Sequence, residues 1–446
     1  MGVKDLWRDF SESQTKPMTE WASEFYTKHR RKPRVALDTP QWLVGIVQKA
    51  KSWGFNEHRL LIRRFAAFMT AGIDLVPVFD GTDHPHKLRH KSRFRREHAF
   101  VVLAKDIVKH LGLPCIESPG EAEALCSHLQ SIGQVDFVFS DDADVLVFGA
   151  TCVLSYSRDR DTVKENALNR HISIHNVTID RRIYLLRALL QGNDYDKGVT
   201  RLGSKVASQI ADVQTGFAQR LEEIVVVYHS DPVLLADWRE NINHELQTNE
   251  SKFLTRRCNV KLPDDFPKPE IIHALLKPAV SENYNLQWNP PNHFKLQQVW
   301  TGPSPVRPSK KAIEALAARS LSEENVELVE KVRKPSKAKY NPDSLDVSFT
   351  KCMASVMLVY HIHKKTDDPQ WYGNVKVLAA NDLVDVKLSP KWPYGNSATV
   401  QIPYHALRLS RYVVRPEKRK NYLVTELFQR ADKKALTSIV APTRVD

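Results

Sequence analysis

The chain contains 446 residues, of which 65 are Lys or Arg and 52 are Asp or Glu, so its formal net charge is +13. Its apolar fraction of 42% and charged fraction of 26% are ordinary for a globular protein and exclude a wholly disordered chain. No apolar run approaches the roughly 18 residues that a membrane-spanning helix needs. This length predicts roughly two to three domains. The five scattered cysteines, without a Cys-x-x-Cys pair, indicate reduced thiols rather than disulfides or a zinc site.

Between residue 30 and about residue 200, short apolar runs alternate with longer helical patterns. The runs RVALDT, DLVPVFDG and QVDFVFSDDADVLVFG are rich in Val and Phe and predict buried strands that end in acids. The stretches QWLVGIVQKAKSWG, EHRLLIRRFAAFMTAG and REHAFVVLAKDIVKHLG predict helices, and the last two end in Gly, as many helices do. This alternation predicts an α/β domain with a mostly parallel sheet, whose ligands bind outside the carboxyl ends of the strands.

The second half of the chain changes character twice. Residues 180–290 show mainly helical patterns, and residues 301–345 are rich in Pro, Lys and Ser, which is typical of a linker region. Residues 346–414 then show alternating or short apolar runs (VMLVYHIH, NVKVLA, LVDVKL and ATVQIPY). These runs predict a second, smaller, β-rich domain.

Charge is unevenly distributed along the chain. Residues 84–96, HPHKLRHKSRFRR, contain six Lys or Arg, three His and no acid. Residues 101–150 contain two bases and eight acids, a balance of 2 − 8 = −6, whereas residues 401–446 contain ten bases and four acids, a balance of +6. A basic chain with one acidic cluster predicts a polyanionic partner and a cation site, although a solvated charged surface would explain any single patch.

Acidic residues stand at the ends of the predicted strands and in later motifs. A single strand-end Asp is more commonly a helix cap or a turn residue than a ligand. Acids at the mouths of buried strands are nevertheless costly unless they are paired or bound to metal. The candidates are Asp38, Asp80, Glu121, Glu123, Asp142, Asp144 and Asp194.

The spacing within two of these motifs bears on whether their carboxylates converge. The i, i+2 spacing of Asp142 and Asp144 predicts that both lie on one side of an extended segment. Glu121 and Glu123 would point about 200° apart inside a regular helix. We therefore expect Glu121 at the entry of a helix, after the SPG turn at 118–120.

Six or seven carboxylates in one site repel each other unless cations neutralise them. Oxygen ligands without His or Cys favour Mg²⁺ or Mn²⁺. Because Mg²⁺ usually keeps several waters, this number of acids exceeds the need of one ion. Two ions about 4 Å apart would suit in-line attack on a phosphodiester, one activating water and the other stabilising the leaving oxygen.

Six motifs carry a resemblance to a known family. In chain order over about residues 1–260, MGVKDLW, VALD, VPVFDG, PGEAEA, SDDADVLVFG and GNDYDKGV resemble the flap endonuclease (XPG-like) family of structure-specific nucleases. The resemblance implies a 5′-nuclease or PIN-like core with a two-metal site, in which all seven acids named above are metal ligands and catalytic residues. Since all seven positions are acidic here, an inactive relative is not expected. The resemblance also implies that Gly2 lies near the active site and contacts DNA.

Two features resemble the fungal Gen/Yen-type Holliday-junction resolvase branch of the family. Only 40 residues lie between Asp80 and Glu121. This segment is long enough for a basic loop and one helix, but short for the arch through which flap-removing members thread a free 5′ end. The segments RENINHELQTNESKFLTRR and PDDFPKPEII and the β-rich extension also resemble this branch, in which a chromodomain-like module contacts DNA. We expect a nuclease core at 1–210, a helical extension at 211–290, a linker region at 291–345 and a chromodomain-like domain with a basic tail at 346–446.

The resemblance assigns DNA contacts to the basic stretch that follows Asp80. Lys87 best matches the catalytic, phosphate-steering lysine of the family by its offset from Asp80, and its arginine partner is either Arg89 or Arg93. Lys91 lies in the same stretch and is also expected to contact DNA. The alternative is a solvated basic helix. If the patch contacts DNA, it supplies salt-dependent affinity without sequence specificity.

The segment GVTRLGSKVA resembles the helix–two-turn–helix element of the family. That element binds the uncut duplex through backbone N–H groups and often holds a K⁺ ion, and Gly203, Ser204 and Lys205 stand at the matching positions. Arg201 replaces the middle glycine of the usual pattern. We expect Arg201 either to contact phosphate directly or to alter the loop and its K⁺ binding.

The sequence thus predicts a Mg²⁺-dependent, structure-selective DNA endonuclease that resolves four-way junctions by paired symmetric nicks and also cuts 5′ flaps and forks. The nearest alternative is a 5′-flap or excision-repair endonuclease of the same family. A binding scaffold on a dead nuclease fold is an alternative of another class. Because a junction is two-fold symmetric and one chain has one set of acids, we expect a monomer in solution and a homodimer on the junction. KRK at 418–420 weakly matches a nuclear-import signal, and we expect a nuclear location.

Overall fold

The computed structural model describes residues 6–9, 14–53, 56–83, 94–156, 171–178, 180–282, 284–301, 353, 356, 373–377, 383–388, 399–403 and 422–423. It contains two compact units. The first comprises Met1–Lys49, Ala67–Ser92 and Gly112–Asn289, and the second comprises Ala50–Ala66, Arg93–Leu111 and Pro290–Asp446. No helix in the described part of the chain is long and apolar enough to cross a membrane.

Seven described strands form one sheet in the first unit. They are β1 (Gln14–Pro17), β2 (Arg34–Asp38), β3 (Asp74–Phe79), β4 (Ile116–Glu117), β5 (Phe137–Phe139), β6 (Cys152–Tyr156) and β7 (His171–Asn176). Their order is β1-β7-β6-β5-β2-β3-β4. Strands β4, β3, β2, β5 and β6 run parallel, and β7 and β1 extend the sheet by antiparallel pairing. The predicted α/β fold with a mostly parallel sheet is confirmed.

Twelve helices occur among the described residues. They are α1 (Met18–His29), α2 (Thr39–Trp53), α3 (Glu57–Thr70), α4 (Phe94–His110), α5 (Ala122–Ser131), α6 (Asp144–Val147), α7 (Arg181–Gln191), α8 (Ser204–Ile210), α9 (Phe217–Val226), α10 (Pro232–Thr248), α11 (Pro269–Leu276) and α12 (His293–Thr301). The three helices predicted between the strands are present as α2, α3 and α4. Gly72 and Gly112 follow α3 and α4 with φ values of 79° and 73°, a left-handed conformation that glycine adopts without Cβ strain.

One predicted strand is shorter than expected. Strand β5 covers only FVF, and the second apolar run, DVLV, forms the helix α6. The prediction that Asp142 and Asp144 lie on an extended segment is therefore wrong. Asp144 begins α6, and its N–H donates to Oδ1 of Asp142 at 3.2 Å. A short buried helix and a short buried strand have the same apolar pattern, so the sequence could not separate them.

The central strands are buried because helices cover the sheet. Val35, Ala36 and Leu37 of β2 are completely buried, and α5 packs on β2, β3 and β5. The amino-terminal motif also contributes to this core, since Leu6 is completely buried and the ring of Trp7 lies 4.9 Å from that of His175 in β7. The predicted site residue Gly2 lies outside the described residues.

Asp136 links the starts of the two central strands β2 and β5. Its carboxylate accepts hydrogen bonds from the guanidinium of Arg31 at 2.6 and 2.7 Å and from the N–H of Arg34 at 2.9 Å. Burial raises the pKa of Asp136, but the bonds from Arg31 and Arg34 outweigh burial and bring the pKa to about 2. The carboxylate is therefore charged at neutral pH, where it holds the register of β2 against β5.

Two glycines allow two acid-bearing segments to cross at the carboxyl edge of the sheet. The N–H of Gly81 donates to the carbonyl of Gly120 at 2.8 Å. A Cβ atom on Gly81 would lie 2.0 and 2.2 Å from the carbonyl oxygens of residues 118 and 119, so no side chain fits there. This crossing brings Asp80, at the end of β3, close to Glu121, at the entry of α5.

The described part of the second unit contains helices and a separate sheet. Helix α12 lies within the predicted linker region and packs against α4, while residues 302–345 lie outside the described residues. The guanidinium groups of Arg59 and Arg63 stack on the ring of Trp300 at 5.4 and 5.3 Å.

The predicted β structure of the carboxyl-terminal region is present. Strands β8 (Gly373–Val377), β9 (Leu383–Leu388), β10 (Thr399–Pro403) and β11 (Tyr422–Leu423) form an antiparallel sheet in the order β10-β9-β8-β11. The predicted run NVKVLA overlaps β8, and the runs LVDVKL and ATVQIPY contain β9 and β10. Residues 357–363 of the fourth predicted run lie outside the described residues, and the four domain boundaries stay a prediction.

The glycine crossing makes a prediction about stability. Gly81→Ala should lower the free energy of unfolding by at least about 2 kcal/mol, because the new methyl group meets two backbone carbonyls that cannot rotate away. Gly45→Ala is the matched control, since its Cβ would meet nothing within 4 Å inside α2, and it should stabilise the protein by up to about 1 kcal/mol. Urea unfolding measures both. Equal stability of Gly81→Ala and the wild type would contradict the crossing.

Candidate metal centre and nucleic-acid interface

Five of the seven predicted acids lie buried together at the carboxyl edge of the sheet. They lie at the end of β2, at the entry of α5 and at the entry of α6. Their exposed fractions are small: Asp38 4%, Glu121 4%, Glu123 8%, Asp142 7% and Asp144 6%. Burial raises the pKa of Glu123 well above its ordinary value, and the charges of Glu121, Asp142, Asp144 and Asp38 raise it further. These five carboxyl groups therefore form one electrostatic cluster, which we call the carboxylate cluster.

Asp80 borders the carboxylate cluster from its exposed side. Its Oδ1 accepts the N–H of Ala122 at 2.9 Å, which satisfies a free donor in the first turn of α5. Its charge also reaches the interior, because burial and then the charges of Asp38, Glu123 and Asp80 raise the pKa of the Cys126 thiol. The structure thus places a sixth predicted acid beside the cluster.

The seventh predicted acid, Asp194, lies in the loop after α7 and is half-buried. The next residue, Tyr195, is 7% exposed and hydrogen-bonds through its hydroxyl to Glu121. Burial, the charge of Glu121 and this hydrogen bond all raise the pKa of Tyr195. Tyr195 therefore stays protonated and joins the loop of Asp194 to the carboxylate cluster.

Ser140 links the two halves of the carboxylate cluster. Its hydroxyl donates to Oδ2 of Asp38 at 2.7 Å and accepts the N–H of Asp142 at 3.0 Å. The chain of contacts continues from Asp142 to the N–H of Asp144. Acids from β2 and from the entry of α6 are thereby fixed relative to each other.

The donor set of the carboxylate cluster fits hard divalent cations. Every contributed ligand atom is a carboxylate oxygen, the donor type that Mg²⁺ and Mn²⁺ prefer. The raised pKa of Glu123 shows that negative charge is unfavourable here, and a bound cation relieves such repulsion. No three Asp, Glu, His or Cys side chains of the described residues converge in the geometry of one metal site. The assignment of all seven acids as ligands stays a prediction.

The expected DNA contacts of the basic stretch fall on residues that the structure does not describe. Lys87, Arg89, Lys91 and Arg93 lie between residues 84 and 93, outside the described residues. Helix α4 begins at Phe94 directly after this stretch.

The loop between α7 and α8, whose sequence resembles a helix–two-turn–helix element, contains residues with positive φ. Gly198 has a φ of 69°, and its N–H donates to Oδ1 of Asp196 at 2.8 Å. Arg201 has a φ of 67°, a left-handed conformation that glycine favours and arginine rarely adopts. The loop therefore keeps a glycine-like conformation at 201 although the side chain is Arg.

The candidate contacts at the start of α8 are accessible. Gly203 is the N-cap of α8, Ser204 is its first residue, and Lys205 follows. Gly203 and Lys205 are exposed and Ser204 is half-exposed, so all three face solvent, as duplex binding requires.

Three supporting residues were missed by the sequence analysis. Ser140 and Tyr195 stand beside the acids in SDDAD and NDYD, so their motifs gave a local signal. Arg181 gave no local signal, because its hydrogen-bond partners are distant in the sequence. Its guanidinium donates at 2.8 Å to the carbonyls of Val147 and Leu275, which are 34 and 94 residues away. Arg181 joins the end of α6 to the end of α11.

Comparison with known proteins places this geometry in a family context. The XPG I-region matches residues 112–194, which carry five of the seven predicted acids. DNA repair protein rad13 of Schizosaccharomyces pombe is 27% identical over 206 residues, or 44% of this chain and 17% of that protein. Flap endonuclease GEN-like 1 of Arabidopsis thaliana is 30% identical over 200 residues, or 38% of this chain and 32% of that protein. Holliday junction resolvase YEN1 of Saccharomyces cerevisiae is 22% identical over 308 residues, or 48% of this chain and 41% of that protein.

The matches span less than half of the length of these relatives. Among solved structures, a eukaryotic junction-resolving enzyme GEN-1 with cesium superposes with a TM-score of 0.63 and 21% identity, covering 99% of this chain and 100% of that one. The Holliday junction-resolving enzyme GEN1 with product DNA and Mg²⁺ superposes with a TM-score of 0.58 and 21% identity, covering 91% of this chain and 96% of that one. These structures share the fold of this chain. The resemblance to the flap endonuclease family is confirmed, and GEN-like 1 and YEN1 support its Gen/Yen-type branch.

The raised pKa of Glu123 makes a prediction about metal-free stability. A carboxyl group whose folded-state pKa lies above its ordinary value of 4.5 stabilises the fold below pH 4.5, and this stabilisation is lost as the pH rises through the raised pKa. Glu123→Gln should therefore raise the melting temperature in EDTA at pH 8, and Mg²⁺ should stabilise the wild type more than this variant. Exposed Glu240→Gln should change neither value. A less stable Glu123→Gln variant in EDTA, with an undiminished Mg²⁺ response, would contradict the cluster.

The conformation of Arg201 makes a second prediction. Arg201→Gly should be about as stable as the wild type or slightly more so, because the relief of Cβ strain offsets the added flexibility of the unfolded chain. Arg201→Val should be about 1–2 kcal/mol less stable than the wild type, because a β-branched residue tolerates positive φ poorly. Urea unfolding ranks the three proteins. A Val variant as stable as the Gly variant would refute the left-handed loop.

Proposed function

We propose that this chain, which resembles the flap endonuclease family in sequence and the GEN1 junction-resolving enzymes in fold, is a structure-specific DNA endonuclease that hydrolyses phosphodiester bonds. The observation that carries this proposal is the carboxylate cluster at the carboxyl ends of the parallel strands, where α/β proteins bind their ligands. The presence of an acid at every position where the family has a metal ligand argues for a catalyst rather than a binding scaffold on the same fold.

The cofactor in this proposal is a pair of Mg²⁺ ions, for which Mn²⁺ can substitute, held by the seven acids Asp38, Asp80, Glu121, Glu123, Asp142, Asp144 and Asp194. When bound, such ions supply an activated water and stabilise the leaving oxygen of an in-line displacement. The similar GEN1 structure that contains product DNA and Mg²⁺ supports this choice of cation. The chain itself contributes fixed geometry, since Ser140 holds Asp38 and Asp142 and Tyr195 holds Glu121.

The proposal assigns DNA contacts to three segments of the chain. Gly2 and the basic stretch with Lys87, Arg89, Lys91 and Arg93 would bind the strand near the cut, and Lys87 would also act in catalysis. The 198–205 loop, with Gly203, Ser204 and Lys205, would bind the uncut duplex. A monovalent cation at this loop is part of the proposal, and the cesium in the similar GEN-1 structure supports it.

The proposed substrates are four-way junctions, with 5′ flaps and forks as further substrates. The short segment between Asp80 and Glu121 supports junctions, because it leaves little chain for an arch around a free 5′ end. YEN1, a Holliday junction resolvase, and the GEN1 structure, from a junction-resolving enzyme, support the same choice. The β-rich region from 346 is proposed to be a chromodomain-like DNA contact. A nuclear location follows from the proposed role in DNA repair and recombination.

The alternative is a 5′-flap or excision-repair endonuclease with the same chemistry, and the relation to rad13, a DNA repair protein, favours it. The two functions differ in whether a free 5′ end is needed. A flap with a blocked 5′ end and an intact four-way junction should both be cut by a resolvase. If only the unblocked flap is cut, the alternative is correct.

Asp142→Asn tests the chemistry. Loss of one carboxylate charge from the carboxylate cluster should abolish Mg²⁺-dependent cleavage and leave junction binding in EDTA largely intact. Asp237→Asn is the control, because Asp237 is exposed on α10 and is not one of the seven acids, and this variant should keep wild-type activity. Cleavage of end-labelled junctions at saturating enzyme measures the rate. Full activity of Asp142→Asn would exclude Asp142 as a metal ligand.

The assembly proposal is that two chains act on one junction. Paired symmetric nicks need two active sites, whereas each chain contributes one set of acids. Light scattering should therefore give the mass of a monomer for the free protein and two chains per DNA for the junction complex. A tight dimer without DNA, or one chain per junction during paired nicking, would contradict this assembly.

A further inference from the structure

A pocket of about 390 Å³ opens beside the carboxylate cluster. Its lining includes Glu121, Tyr195, residues of α11 and the residues that follow α11. The volume lies within the range of small-ligand pockets, roughly 300–1,000 Å³. The pocket is therefore large enough for one nucleotide and is continuous with the proposed centre.

The wall formed by α11 is fixed to both acid-bearing segments. The N–H of Gly120 donates to the carbonyl of Ala279 at 3.2 Å, next to Glu121. The guanidinium of Arg181 donates to the carbonyls of Leu275 and Val147 at 2.8 Å, and so joins the end of α11 to the end of α6. Side chains on this wall consequently keep a defined position relative to the carboxylate cluster.

Two basic side chains on this wall line the pocket. His273 and Lys277 lie one helical turn apart, and both are exposed. Neither forms an ion pair with any residue in the described ranges, whereas the nearby Lys268 binds Asp196 at 2.5 Å. The other charged residues of the lining are acidic, namely Asp83, Glu121 and Glu270. The ammonium group of Lys277 is therefore available to bind a ligand.

We propose that this pocket receives the nucleotide next to the scissile bond and that Lys277 binds its phosphate. The proposal rests on the nuclease function proposed above. A phosphate enters an acid-lined pocket only against positive charge. When bound, cations at the proposed metal centre would supply this charge beside Glu121, and Lys277 supplies it from the wall that α11 forms. The flexible lysine stem suits a phosphate that arrives with different branched substrates.

The test combines one lysine with one phosphate. Four proteins are compared on the branched DNA that the wild type cuts: the wild type, Lys277→Ala, Lys277→Arg and the control Lys261→Ala. In this DNA a single neutral methylphosphonate replaces, in turn, each phosphate that flanks the cut. Lys261 is exposed in the same unit and does not line the pocket. Lys277→Ala should lower kcat/KM about tenfold, the worth of a charged hydrogen bond, and Lys277→Arg should restore most of it.

The position of the sensitive phosphate decides the outcome. One methylphosphonate should slow the wild type and Lys261→Ala about tenfold but leave Lys277→Ala unchanged, because its partner is already lost. The pocket assignment is overturned if each methylphosphonate slows Lys277→Ala as much as it slows Lys261→Ala. It is also overturned if Lys277→Ala cuts unmodified DNA at the wild-type rate. A wild type that cuts no branched DNA would instead overturn the nuclease function itself, so the two failures are distinguishable.

Discussion

The mutual repulsion of buried carboxylates is the constraint on which the rest of this structure depends. Five acids that are each less than a tenth exposed share one edge of the sheet, and each raises the cost of charging the others, as the pKa of Glu123 shows. A protein keeps such an arrangement only where cations offset it. The parallel strands and the helices that follow them hold these charges together.

Several hydrogen bonds from outside the set of acids hold these charges in place. The crossing of Gly81 and Gly120 brings Asp80 and Glu121 together, Ser140 spans Asp38 and Asp142, and Arg181 joins α6 to α11. None of these groups needs to bind metal or DNA. They determine where the ligand oxygens lie, and they extend the ordered surface from the carboxylate cluster to the wall that carries Lys277. The chemistry of the site therefore depends on these supporting groups as much as on the acids.

The fold and the positions of the acids could be predicted because both leave local patterns. Apolar runs ended by Asp38 and Asp80 follow directly from parallel strands with ligands at their carboxyl ends. The conformation around Asp142 and Asp144 was not predictable, because a short apolar run such as DVLV fits a buried helix as well as a buried strand. The role of Arg181 was also hidden, since its partners are distant in sequence. The left-handed backbone at Arg201 runs against the preference of its own side chain, so only the surrounding loop determines it.

The central claim is that the carboxylate cluster is a two-metal centre, and anomalous diffraction from crystals soaked in Mn²⁺ tests it most directly. The account predicts two anomalous peaks about 4 Å apart, each coordinated by carboxylate oxygens of the cluster. Both peaks should weaken in the Asp142→Asn protein. A single peak, or none, among Asp38, Glu123 and Asp142 at saturating Mn²⁺ would contradict the two-metal centre.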